Sequence, residues 1–256
     1  MKIAVSGKGG AGKSTIAANL IHCLAARGVS VFAVDADPDA NLGFTLGLDP
    51  EKLAGLPPLI ELHQEIMEKN QGGGLLVNLT PEVDDVLENY SLQEGPIKFL
   101  KMGALKQGGS ACYCKENSFL NAVLTNVLLD RPEAVVLDMS AGIEHLTRGT
   151  ARGVNLMLVV TEPTGAGVNT ALAVERLARD LDIPEIAFIG NKIRSEEDRN
   201  FLAASLLGKR ILGMLPFSDA VLQRARSVQA AGFNSDVLLP GIEDICDQII
   251  GGGLIL

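Results

Sequence analysis

Short apolar runs alternate along this chain with longer stretches in which apolar residues recur at helical spacing. Lys2-Ile3-Ala4-Val5-Ser6 reads as a short buried strand. A Gly-rich turn follows, then an apolar-periodic helix from about Lys13 to Ala26. Arg27-Gly28 ends that helix, with a cation in its last turn and a glycine beyond. Val31 to Asp35 is a second apolar strand, completing a βαβ unit. Continuous apolar runs of this kind belong to strands buried on both faces. The beat returns in strands at 134–138, 156–161 and 186–190, with helical patterns near 143–152 and 166–181. A further strand is expected at 211–215 and a last helix near 240–250. Regular alternation predicts an α/β fold, a single domain with a mostly parallel, doubly wound sheet.

Residues 49–130 break the beat and are expected to be an insertion within one domain spanning 1–256. Pro57-Pro58, Gly72-Gly73-Gly74 and Gly108-Gly109 punctuate them. Helices are expected near 59–69 and 118–129, and strands near 75–80 and 97–102. Neither a linker nor an internal repeat is visible.

Composition narrows the class. Of 256 residues, 47% are hydrophobic, which excludes whole-chain disorder. Lys and Arg number 22 against 31 Asp and Glu, for a net charge of -9. That balance argues against a nucleic-acid partner bound through phosphate neutralisation. No apolar run approaches the ~18 residues of a membrane span. Gly7 and Lys8 arrive too early for a signal peptide, so a cytoplasmic protein without a membrane partner is expected. Four cysteines do not make a disulfide framework.

The candidate chemistry begins at Gly7-Lys8-Gly9-Gly10-Ala11-Gly12-Lys13-Ser14, which fits G-x-x-x-x-G-K-[ST] between a strand and a helix. Glycines let backbone N–H groups converge on phosphate oxygens, and the helix N-terminus adds a favourable dipole. Lys13 is expected on the β- and γ-phosphates, and the Ser14 hydroxyl on Mg²⁺. A rival reading takes Gly7-x-Gly9-x-x-Gly12 as a dinucleotide fingerprint, with Asp35 on a ribose. That rival leaves Lys13-Ser14 without a purpose. Phosphoryl transfer also needs metal-associated carboxylates and a group to orient water. Asp35-Ala36-Asp37-Pro38-Asp39 ends one strand and Asp138 ends another, both at the carboxyl edge of the expected sheet.

Cys23 and Cys246 fall in apolar helical patterns and read as core cysteines. Cys112-Tyr113-Cys114 lies in a loop just before a predicted helix, a setting that favours thiolates. Two incidental loop thiols are one reading. The other is half of a metal site: a closed tetrahedral zinc site wants four ligands, and a two-fold homodimer would bring two such pairs together. Thiolates also hold Ni²⁺, so ligand type does not choose between zinc and nickel.

Gly7-Lys8-Gly9-Gly10-Ala11-Gly12-Lys13-Ser14-Thr15 resembles the deviant Walker A motif of dimerising ATPases related to nitrogenase iron protein and the cell-division and partition ATPases. The resemblance implies ATP as the nucleotide, with Gly9, Gly10, Ala11, Gly12, Lys13, Ser14 and Thr15 around its phosphates. It implies that Lys8 acts on the partner protomer's nucleotide. It puts Asp37 in the water-orienting switch I position, and Asp138 and Gly142 in switch II. It makes Asn191 the adenine contact; Arg194 interrupts the Asn-Lys-x-Asp pattern that selects guanine.

Gly108-Gly109-Ser110-Ala111-Cys112-Tyr113-Cys114, together with Asp138-Met139-Ser140-Ala141-Gly142-Ile143-Glu144-His145, is similar to the CooC-type maturation ATPases of nickel carbon monoxide dehydrogenase and acetyl-CoA synthase. This implies an ATP-hydrolysing homodimer, with ATP/ADP and Mg²⁺ as cofactors. It implies Ni²⁺ or Zn²⁺ between subunits on Cys112 and Cys114, and the nickel enzyme as client. The alternative is a partition- or positioning-type ATPase without a metal role. Residues 240–256 carry Glu243, Asp244 and Asp247 but no Lys or Arg, which opposes the basic amphipathic terminus of a membrane-recruited relative.

Overall fold

Apolar runs too short for helices and too uniform for half-exposed strands predict a sheet covered on both sides. The computed structural model is built that way, and it describes residues 1–37, 39–61, 89–103, 133–140, 151, 153–225 and 239–254. Its first half contains β1 (Lys2–Gly7), α1 (Lys13–Ala26), β2 (Val31–Ala36), α2 (Leu42–Thr45), α3 (Pro50–Gly55), β3 (Leu92–Glu94) and β4 (Ile97–Lys101). Then come β5 (Ala134–Met139), β6 (Leu156–Thr161), α4 (Gly165–Asp180), β7 (Glu185–Ile193), α5 (Glu196–Ser205), β8 (Ile211–Pro216), α6 (Asp219–Ala225) and α7 (Ile242–Ile249).

The eight strands form one sheet in the order β3-β4-β2-β5-β1-β6-β7-β8. All neighbours are parallel except the β3–β4 edge pair. Every residue of β1, β2, β5 and β6 is buried. Alternate residues feed two separate cores. Ala4, Phe32, Val34 and Leu137 face one side, where α4 and α5 bring Val168, Ala171, Val174 and Leu202. Ile3, Val5, Val31, Ala33 and Val136 face the other, where α1 and α7 bring Ile16, Leu20, Ile21 and Ile245. This is the doubly wound arrangement that the pattern predicts.

The predicted strands agree with β1, β2, β4, β5, β6, β7 and β8, and the predicted helices with α1, α4 and α7. Three differences have physical reasons. β3 and β4 lie within the stretch 49–130, and β4 pairs with β2 from Val31↔Ile97 to Asp35↔Lys101, so this stretch supplies part of the main sheet. The pattern there misses β3, which is three residues long and only half-buried. It also misses α5, because only Leu202 of that helix is buried and apolar periodicity is faint. The signal for α5 is its cap: Ser195 Oγ accepts the Asp198 N–H at 3.2 Å, and the Asp198 carboxylate reaches back to the Arg194 N–H at 2.8 Å. The helix expected near 59–69 is described only to Glu61; the elements expected near 75–80, 118–129 and 143–152 fall outside the described residues, apart from Ala151. Among the described residues, no helix is long and apolar enough to cross a membrane.

One buried amide ties the chain's end to its first helix. Asn19, on α1, accepts the Leu239 N–H at 2.7 Å through Oδ1 and donates to the Thr15 carbonyl at 2.8 Å through Nδ2. Asn19→Ala strands the buried Leu239 N–H, whose desolvation costs about 1–3 kcal/mol. Urea unfolding should show a loss of that size.

Candidate functional site

Strand order changes direction at β1, which has β5 on one side and β6 on the other. Loops leaving their carboxyl ends part there and open a crevice. Everything described below lies at this edge.

The turn from β1 into α1 is shaped by close approach. Gly7 has φ +148°, and a Cβ there would collide with the Val160 carbonyl of β6. Gly12 caps α1 in the left-handed region at φ 96°, and no side chain caps the helix. The first N–H groups of α1 are thus left to an anion. Lys13 and Ser14 are its first residues; Lys13 is buried and Ser14 half-buried.

The outer side of the turn is held from β7. Asn191 Nδ2 donates to the Ala11 carbonyl at 2.8 Å, and Lys192 Nζ donates to the Gly10 carbonyl. A Cβ on Gly12 would overlap Asn191 Nδ2, which is a second reason for glycine. Successive strand residues ordinarily point to opposite faces. Here a register irregularity between Gly190 and Ile193, with Lys192 at φ 62°, lets both side chains reach one loop. A non-glycine residue in that conformation costs about 1–2 kcal/mol. In a trans peptide C=O and N–H point oppositely, so holding the Ala11 carbonyl toward β7 turns the Gly12 N–H inward.

Two acids stand side by side at the same edge. Asp35 of β2 is in register with Asp138 of β5, and both are fully buried. Asp35 is satisfied: Oδ1 accepts the Asp37 N–H at 3.3 Å and Oδ2 accepts the Leu42 N–H at 2.9 Å. Asp138 is not: neither oxygen takes a well-formed hydrogen bond, although the Ser14 hydroxyl and the Lys13 ammonium lie near enough to hold its acidity up partway. Burial, then Asp138's charge, push Asp35 up to about 7. Burial pushes Asp138 up to about 6. Two orphaned, desolvated carboxylate oxygens beside a serine hydroxyl are the donor set of a hard divalent cation, so Asp138 and Ser14 fit Mg²⁺.

The predicted residues Gly9, Gly10, Ala11, Gly12, Lys13, Ser14, Thr15, Asp37, Asp138 and Asn191 therefore come to one edge, with Asp37 half-buried and turned so that Oδ1 accepts the Asp39 N–H at 3.1 Å. Lys8 joins them, its ammonium 3.0 Å from Glu162 Oε1. Cys112, Cys114 and Gly142 lie outside the described residues. Among the described residues, no three or more His, Cys, Asp or Glu side chains gather as a metal centre. Two contributors escape motif reading, and a third, Asp35, is legible only as one of the strand-end acids. Asp35 holds the loop that carries Asp37, Lys192 holds the glycine-rich turn, and Glu162 engages Lys8. The one available signal was Asp35's place in the Asp-x-Asp run. Its full burial and its two bonds to backbone N–H groups speak against the dinucleotide reading, which wants this carboxylate on a ribose.

The acid pair sets a pH dependence. A carboxyl whose native pKa is raised favours folding while protonated, so its contribution is intact below about 3.8 and fades as pH climbs through 6 to 7. Between pH 5 and pH 8 the nucleotide-free protein should lose about 1 kcal/mol through Asp138 alone. Asp138→Asn should flatten that slope and be the more stable protein at pH 8, measured by denaturant unfolding across the range.

The family model "CobQ/CobB/MinD/ParA nucleotide binding domain" matches residues 2–229. The chain is 39% identical over 247 residues to the "Carbon monoxide dehydrogenase accessory protein CooC" of Rhodospirillum rubrum, covering 95% of this chain and 92% of that one. It is 37% identical over 231 residues to an uncharacterized ATP-binding protein of Methanocaldococcus jannaschii, covering 87% and 88%. The fold resembles the MinC:MinD cell division protein complex of Aquifex aeolicus, with a TM-score of 0.71 at 18% identity over 98% of this chain and 95% of that one. The chain belongs to the CobQ/CobB/MinD/ParA nucleotide-binding family and, within it, to the CooC-type carbon monoxide dehydrogenase accessory proteins.

Proposed function

We propose that this protein is a homodimeric ATPase that converts ATP and water to ADP and phosphate, and that it carries metal for the maturation of nickel carbon monoxide dehydrogenase or acetyl-CoA synthase. The observation that carries the ATPase reading is the uncapped, externally braced turn of residues 7–12 facing the orphaned carboxylate of Asp138. An anion and a cation are both wanted there, and MgATP supplies both. The 39%-identical relative, a carbon monoxide dehydrogenase accessory protein, supports that client.

The N–H groups opening α1 bind the phosphates, and Lys13 neutralises the β- and γ-oxygens. Ser14 and Asp138 hold Mg²⁺, which withdraws charge from the phosphates when bound. Asp37 orients the attacking water, its backbone steadied by the Asp35 carboxylate. Gly142 completes the γ-phosphate surroundings, and Thr15 meets the α-phosphate. Asn191 spends Nδ2 on Ala11, so Oδ1 is the atom that accepts from the adenine amino group. Arg194 stacks its guanidinium 3.7 Å from the Phe217 ring centre and puts no carboxylate where a guanine would need one. Lys8 reaches the partner's nucleotide and draws two protomers together. Hydrolysis then loosens the switch loops, as in other nucleotide switches, and alters a site made by Cys112 and Cys114 of both chains.

Lys13→Ala should abolish phosphate release while the fold survives; normal turnover sinks the ATPase assignment. On anaerobically purified protein with added Ni²⁺ or Zn²⁺, elemental analysis should find about one metal per two chains, as a shared four-thiolate site requires. Cys112→Ser with Cys114→Ser should lose that metal and keep nucleotide binding, and retained metal would move the cargo site elsewhere.

A further inference from the structure

Glu162 follows the last residue of β6 and precedes the turn into α4. Its Oε1 accepts from Lys8 Nζ at 3.0 Å, with the two side chains 20% and 37% exposed respectively. Local contacts set its position. The Thr164 N–H donates to the Glu162 carbonyl at 2.7 Å, and the Thr164 hydroxyl lies 3.5 Å from the same Oε1. The Lys8 backbone is also fixed, because its carbonyl accepts the Ala11 N–H at 3.1 Å within the glycine-rich turn. The Lys8 side chain, unlike its backbone, is held by this ion pair. An ammonium bound to a carboxylate of its own chain must leave it before it meets a phosphate bound elsewhere.

We propose that Glu162 is a latch that holds Lys8 in cis and sets the threshold for nucleotide-driven pairing. This rests on the reading that Lys8 acts across the dimer. In the latched protomer the lysine's charge is answered locally. A second protomer displaces the carboxylate only by offering more negative charge to the same ammonium. A γ-phosphate does this better than the shorter chain of ADP, so the latch sharpens the distinction between the two nucleotides. No bond other than the ion pair is exchanged. A partly exposed pair of this kind contributes up to about fivefold in an equilibrium. A two-fold dimer opens two latches, so removing both should tighten it by up to about 25-fold.

Two measurements on the full chain test the latch. The first needs no dimer: the acetylation rate of Lys8 in the nucleotide-free protein, followed by peptide mass spectrometry with a small acylating reagent. Glu162→Gln should raise that rate several-fold, with Lys52 as an internal reference; an unchanged ratio overturns the latch. The second is sedimentation velocity with a non-hydrolysable ATP analogue. Glu162→Gln should lower the dimer dissociation constant, by up to about 25-fold, and should have no effect in a Lys8→Ala background. An equal or weaker dimer overturns the proposal, because Glu162 would then help pairing or be indifferent to it. If Lys8→Ala dimerises like the parent, the cross-dimer reading falls, even where faster acetylation shows that Glu162 restrains Lys8.

Discussion

The desolvation of two carboxyl groups is the constraint around which this edge is organised. Asp35 and Asp138 sit at the same level of adjacent strands, fully buried, where charge is costly. The protein resolves this in two different ways. Asp35 is answered by backbone amides from the loop that follows it, so its burial fixes that loop. Asp138 is left with no partner of good geometry, close to one lysine and one serine. A purely structural acid would not be kept in that state. The unsatisfied oxygens store a need for a cation, beside a helix terminus that needs an anion.

The nucleotide site is braced before any nucleotide arrives. Asn191 and Lys192 hold the turn from β7, Gly7 seats it on β6, and Asn19 ties α1 to the segment ahead of α7. These restraints come from the side of the sheet opposite Asp37; on the Asp37 side, among the described residues, the Asp35 carboxylate holds the loop. Lys8 stands between the two halves, its backbone in the rigid turn and its side chain held at the end of β6. On the proposed cross-dimer role of Lys8, what releases that side chain would decide how the site meets a second copy of itself.

Most of the fold was legible because its strands are buried on both faces, so hydropathy alone marks them. Where burial is partial, the pattern fails. β3 pairs at an exposed edge, and α5 buries a single leucine, so neither leaves an apolar rhythm. The glycine-rich turn was legible for another reason. Gly7 and Gly12 are demanded by backbone conformation and close approach, and backbone demands are written in local composition.

Read by itself, the chain determined an α/β sheet, a glycine-rich turn between strand and helix, acids at two strand ends and membership in a family of nucleotide-binding proteins. Those depend on neighbours in the chain or on periodicity, both of which are one-dimensional. Tertiary structure alone decided that Asp35 lies level with Asp138, that Asn191 and Lys192 grip a loop about 180 residues away, and that Lys8 meets Glu162. Each of these joins strand ends, or the turns that leave them, brought together by sheet order. Sheet order follows from how crossovers and helices pack, and no local run of residues encodes which strand ends will share an edge.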